Sequence, residues 1–161
     1  MAYWSFDPRQ HLRETIGTLL DYNTDGTDER VISVLDDFST TIYIPLLYPG
    51  ESRSGEPYPM PFIEMVLVTS PAKAHDVSGN VREQEGYIDM NIWYTNKDTV
   101  TATQFGKTVA DKLVDLVMTY RYSVQSVSWM EPANDGREMN EDTGKQVVFH
   151  RVVEVYLKYF G

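Results

Sequence analysis

The stretch Gly86-Tyr-Ile-Asp-Met-Asn-Ile-Trp-Tyr-Thr95 decides the fold. Ile88, Met90, Ile92 and Tyr94 alternate with Asp89, Asn91 and Trp93. Successive side chains of a strand point to opposite sides, so this spacing predicts a strand with one buried face. After the turn-like Thr95-Asn96-Lys97-Asp98 the apolar period changes. Ala102, Phe105, Val109, Leu113, Leu116, Val117 and Tyr120 recur at helical intervals, which predicts a helix over 99–121 capped by Asp98 or Thr99. β-branched and aromatic residues return at 123–130 and 146–160, which predicts an antiparallel pair of strands.

Upstream, Asp7-Pro8 reads as an N-cap followed by proline at the first helical position. Leu12, Ile16, Leu19 and Leu20 then form a one-sided stripe, predicting a helix over 8–21. Asn23–Glu29 is a polar turn cluster, and Val31–Val34 is too short to assign. Thr40–Leu47 is rich in strand formers, with Pro45 confining it to a sheet edge or bending it. The near-continuous apolar run Phe62–Thr69 predicts a central strand. Long loops are expected at 49–61, dense in proline and glycine, at the polar 70–85, and at 131–145. The expected fold is a single α+β domain over 1–161. Its mostly antiparallel sheet carries two helices on one face, in the order α-β-β-β-α-β-β.

A chain of 161 residues is long enough for a core without staples, since this size buries roughly 70% of its unfolded surface. It has no cysteine, which excludes disulfides, thiolate metal sites and cysteine nucleophiles. Met1-Ala2-Tyr3-Trp4 does not read as a signal peptide, and no apolar run reaches membrane-helix length. These readings predict a soluble protein made in the cytoplasm. A formal charge of −10 argues against gripping nucleic acid, although it suits a surface past which DNA slides. Tyrosines (11, against 3 tryptophans) favour half-wet interfaces. Tyr87, Trp93 and Trp129 are expected on the helix-free side of the sheet, where a neighbour or the 49–61 loop would cover them.

Chemistry-bearing patterns are sparse. Asp21-x-Asn23-x-Asp25-Gly26 matches the first positions of a helix–loop calcium site, but the twelfth position is Ile32 where a bidentate carboxylate is needed. A helix-ending turn explains the same residues. His11, His75 and His150 lie far apart, and no serine elbow or phosphate-cradling glycine loop occurs. Glu64 interrupts an apolar strand, and Arg151 sits on the Val147, Phe149, Val153, Val155 and Leu157 face of another. An ion pair between them would reconcile both, with Arg151 reaching the sheet edge as the simpler alternative. The 131–145 connection carries Glu131, Asp135, Glu138, Glu141 and Asp142 against Arg137 and Lys145. It reads as a solvated acidic loop able to meet a partner. No catalytic motif or cofactor is expected.

The element order, size, acidity and closing strand Gln146–Phe160 together resemble the tail terminator and head–tail joining proteins of long-tailed viruses of bacteria and archaea. The resemblance runs from the first helix to the last strand and brings no catalytic residues with it. It implies a virion subunit, not an enzyme, that closes into a ring, commonly hexameric, at the tail–head junction. Such a ring caps the tail tube, meets neck or connector proteins, and lets DNA pass without specific binding. The 131–145 connection departs from the family by its length. Aromatic and charged positions expected at its interfaces are Tyr87, Trp93, Trp129, Glu131, Asp135, Glu138, Glu141, Asp142 and Arg151. The alternative reading is a small-ligand or calcium-binding domain that uses the Asp21–Asp25 loop.

Overall fold

Strand β6 (Arg82–Thr95) organises a sheet of eight strands whose paired order is β1-β2-β3-β4-β6-β8-β7. The computed structural model describes residues 7–21, 28–35, 40–49, 60–69, 73–74, 82–95, 99–142 and 147–160. The other elements are α1 (Pro8–Ile16), β1 (Thr18–Asp21), β2 (Asp28–Leu35), β3 (Thr41–Leu47), β4 (Phe62–Thr69), β5 (Lys73–Ala74), α2 (Thr99–Thr119), β7 (Val127–Asp142) and β8 (Val147–Phe160). The class is α+β with a mostly antiparallel sheet, but six strands precede α2 where the sequence reading placed three. Two of the extra strands, β1 and β2, come from residues read as helix or left unassigned. The third, β5, is a two-residue pairing with β6 inside the expected 70–85 loop.

α1 begins as its sequence predicts. Asp7 is the N-cap, its carboxylate accepting from the Arg9 backbone N–H at 2.9 Å, with proline in the first turn. It ends early, however, at Ile16. Gly17 turns the chain into extended conformation, and a Cβ there would lie 2.6 Å from the Arg13 carbonyl oxygen. Thr18 and Leu19 then pair with Val31 and Arg30 as strand. The helical spacing of Leu19 is therefore a coincidence, and its side chain is exposed.

Pro45 does not mark an edge. It ends the antiparallel pairing of β3 with β2, and the next residues, Leu46 and Leu47, pair in parallel with Ile63 and Glu64 of β4. A proline is tolerated here because the strand changes partner at the position that lacks an N–H. β4 keeps its expected bounds and lies mid-sheet.

The largest departure is at 131–145. Residues 131–142 continue β7, and only 143–146 remain to connect it to β8. β8 is a 14-residue apolar strand that needs a partner along its length, and β7 supplies one through register shifts near Val127, Pro132 and Asp135–Glu138. The acidic residues are strand residues and not a solvated loop. At the other end of the pair, Val124 precedes the strand, buried in the turn after α2.

One hydrophobic cluster unites the molecule. It joins Leu12 and Ile16 of α1, Ala102, Val109, Ala110, Leu113 and Val117 of α2, and the inward residues of the strands. Those inward residues include Ile63 and Met65, Ile88 to Tyr94 at alternate positions, and Phe149, Val153, Val155, Leu157 and Tyr159. The alternation read in β6 is therefore the burial pattern of the folded chain. Arg9 and Arg13 brace α1 against the sheet: Arg9 donates to the Met65 carbonyl at 3.1 Å, and both guanidinium groups lie over the Tyr48 ring.

Candidate functional site: the open face of the sheet

Strand parity sends the remaining side chains of β4, β6, β8 and β7 to the other face, where most are half-buried and none belongs to the buried core cluster. The register sorts them into rows. Phe62, Trp93, His150 and Met139 form one, and Val66, Asp89 and Glu154 another. Between these lie Glu64, Asn91 and Val152, while Val68, Tyr87, Tyr156 and Glu131 follow on the far side. Glu85, Lys158 and Trp129 complete the face.

Two aromatic groups bound it. At one end Trp93 stacks on His150 with ring centroids 4.1 Å apart and planes within 2°. The His150 Nε2 is 2.8 Å from the Asn91 Oδ1, which fixes the ring in its plane. Burial pushes the His150 pKa below its ordinary value, so the ring is neutral near pH 7. At the other end Tyr87 meets Tyr156, and Tyr156 meets Trp129 edge-on, each pair at 5.3 Å. Val68 and Tyr87 are exposed at this end, and Met139 beside His150 at the other.

The acids on this face divide by partner. Glu85 pairs with Lys158 at 3.5 Å, and Glu131 with Arg121 at 3.6 Å. Glu64, Asp89 and Glu154 have no ion-pair partner among the described residues. Asp89 and Glu154 are also direct cross-strand neighbours, and like charges so placed repel. Burial pushes the Asp89 carboxyl up from its ordinary value.

Several expected site residues stand elsewhere. Arg151 lies on the helix-covered face, in register with Glu138 of β7 and Ile92 of β6. Glu64 points to the open face, so the predicted Glu64–Arg151 pair does not exist: the sheet separates them. Glu138 is tied inward, not offered to a partner. Its carboxylate accepts from the Tyr94 hydroxyl and, at 2.8 Å, from Thr103 of α2. Burial and the Glu138 hydrogen bond push the Tyr94 hydroxyl well above its ordinary pKa. Gly106 makes the approach possible, since a Cβ there would sit 2.0 Å from the Tyr94 oxygen.

Asp135, Glu141 and Asp142 belong to β7, opposite Val153, Val148 and Val147, with side chains outside the described residues. Asp21 closes β1 opposite Asp28, so the residue that would begin the Asp21–Asp25 site ends a strand and not a helix. Asn23 and Asp25 lie outside the described residues, as do His75 and most of the 49–61 loop. Tyr87, Trp93, Trp129 and Glu131 do share one face.

The sequence reading put Asp89 and Asn91 on the side of β6 opposite Ile88 and Met90, but did not bring His150 and Glu154 to them. Their strand parity was legible, but the register joining β6 to β8 across some sixty residues was not. Among the described residues no group of three or more His, Asp or Glu side chains could hold a metal ion. No described helix is long and apolar enough to cross a membrane. Comparison of the chain with protein-family models gives no match, and comparison with curated proteins gives none.

Proposed function

We propose that this chain is a structural subunit without catalytic activity that self-associates into a ring at the tail–head junction of a long-tailed virus. In this reading the ring is six-membered, both helices back the sheet from one side, and the acidic molecule lets DNA pass without gripping it. The observation that carries the proposal is the one-sided sheet. One face is packed into a continuous core, while the other presents half-buried rings and exposed Val68, Tyr87 and Met139. Rotationally repeated subunits need such a surface, because each buries one patch against a different patch of its neighbour.

The outer edge of β7 is poorly suited to that contact. Pro132 and three register irregularities interrupt it, features that discourage strand-to-strand addition. The face, not the edge, is therefore the contact surface in this reading. Native mass spectrometry and negative-stain imaging of the purified chain test it, alone and with tail-tube protein. Closed rings are expected in at least one condition. Monomers throughout, with tube protein present, would sink the proposal.

A further inference from the structure

The open face combines central carboxylates with aromatic rings on either side of them. Glu64, Asp89 and Glu154 occupy its centre with no ion-pair partner among the described residues, while Glu85 and Glu131 at its margin are paired to Lys158 and Arg121. The central carboxylates are flanked by the Trp93–His150 stack on one side and the Tyr87–Tyr156–Trp129 chain of rings on the other. Each of the three is only partly exposed, and Asp89 and Glu154 stand directly opposite one another on neighbouring strands.

We propose that this face seats a basic segment of a partner protein, with arginine or lysine side chains entering between the two aromatic groups against Asp89, Glu154 and Glu64. A guanidinium group stacks on an aromatic face while donating in its plane to a carboxylate, and both elements are present here. Spacing favours an extended segment. Alternate residues of a strand lie about 6.8 Å apart, and diagonal neighbours on a sheet face about 7–8 Å. Basic residues two apart on an extended chain therefore match the offset from the Asp89–Glu154 row to the row of Glu64. Nucleic acid does not fit, because its phosphates would face the carboxylates. A neutral sugar could stack on the rings but would leave the central charge unbalanced. The segment belongs to a different protein and would compete with a neighbouring subunit for this face, so the inference does not rest on ring formation and its test reads peptide binding directly.

The test titrates the full chain with a short capped peptide that alternates arginine and valine, with a glutamate-for-arginine peptide as comparator. Tryptophan fluorescence and calorimetry at moderate salt read the binding. Two doubly substituted variants of equal charge are compared: Asp89→Asn with Glu154→Gln on the open face, and Asp111→Asn with Asp115→Asn on the exposed side of α2. Circular dichroism confirms that both fold. The open-face pair is expected to weaken binding about tenfold or more, and the α2 pair less than about twofold. Equal weakening by both variants would mean general acidity and overturn the proposal. Absence of arginine-peptide binding by the unsubstituted chain would also overturn it. So would binding of a neutral oligosaccharide that survives the Asp89→Asn, Glu154→Gln change, if the arginine peptide fails.

Discussion

Gly106 has no side chain, yet it determines where a tyrosine can go. The Tyr94 ring lies over α2 between Phe105 and Phe149, and its hydroxyl reaches Glu138 across the helix surface. Gly106→Ala would place a methyl group 2.0 Å from the hydroxyl and 2.3 Å from the ring carbon that bears it. Overpacking of this kind costs about 1–3 kcal/mol, to be read from urea unfolding midpoints. Adding Tyr94→Phe should recover only part of the loss, since the ring carbon still clashes. Asp89 makes the opposite case. Its raised pKa means that the folded chain binds its proton more tightly than the unfolded chain does, so the ionised carboxylate destabilises the fold. That cost is greatest above the folded pKa and fades as pH falls towards 3.8, the ordinary value. Asp89→Asn should therefore raise the melting temperature at pH 7, by an amount equivalent to about 0.5 kcal/mol, and the gain should shrink in a Glu154→Gln background.

At the scale of elements, α1 and the Trp93–His150 rung respond to acid in the same direction for different reasons. Burial alone would raise the Asp7 carboxyl, but hydrogen bonds from the Arg9 side chain and backbone hold it below its ordinary value. Its contribution is present above pH 3.8 and is lost as pH falls through the folded value. Asp7→Ala should cost about 1 kcal/mol at pH 7 and nothing further in that acid range. His150 is a base with a lowered pKa, so the fold prefers it neutral. Stability from that rung is complete above pH 6.5 and declines as pH falls from 6.5 through the folded value. An acid titration followed by tryptophan fluorescence should show a step with its midpoint below 6.5, absent in His150→Gln.

These elements also show what a sequence discloses. Periodicity found β6 and α2 because each is long and faces one environment per side, and an unbroken apolar run found β4. It misjudged Leu19, whose spacing fits a helix although Gly17 breaks it. It missed the acidic half of β7, because a polar strand is held by its partner and not by its own pattern. The open face was half legible. Tyr87 and Trp93 announce themselves, whereas Asp89 and His150 gain meaning only from neighbours supplied by a distant strand.

Across the whole molecule, stability should be graded. β4, β6 and β8 are each flanked by strands on both sides and lie under the shared core, while β1 is a four-residue edge. Native-state hydrogen exchange should be slowest in β6 and β8 and fastest in β1, with the β7 edge between them. Uniform protection from β1 to β8 would contradict this ordering. The same grading gives the open face a rigid support in β4, β6 and β8 and leaves β1 as the strand that yields first.

The sheet is not equally joined throughout. β2 and β3 share five registered positions and β6 and β8 share thirteen, but β3 and β4 meet only through Leu46–Ile63 and Leu47–Glu64. That short parallel joint divides the molecule into two plates, β1–β3 and β4–β8. α1 lies across it as a splint, with Arg13 donating to the Leu46 carbonyl on one plate and Arg9 to the Met65 carbonyl on the other. Mechanically, this is the place where the sheet is joined by the fewest backbone pairs and leans most on what packs across it. Load pulled through its two ends would concentrate on this seam, where the short strand joint, the two arginines and the core cluster that runs from Ile32, Val34, Ile44 and Leu46 to Ile63 and Met65 share the resistance.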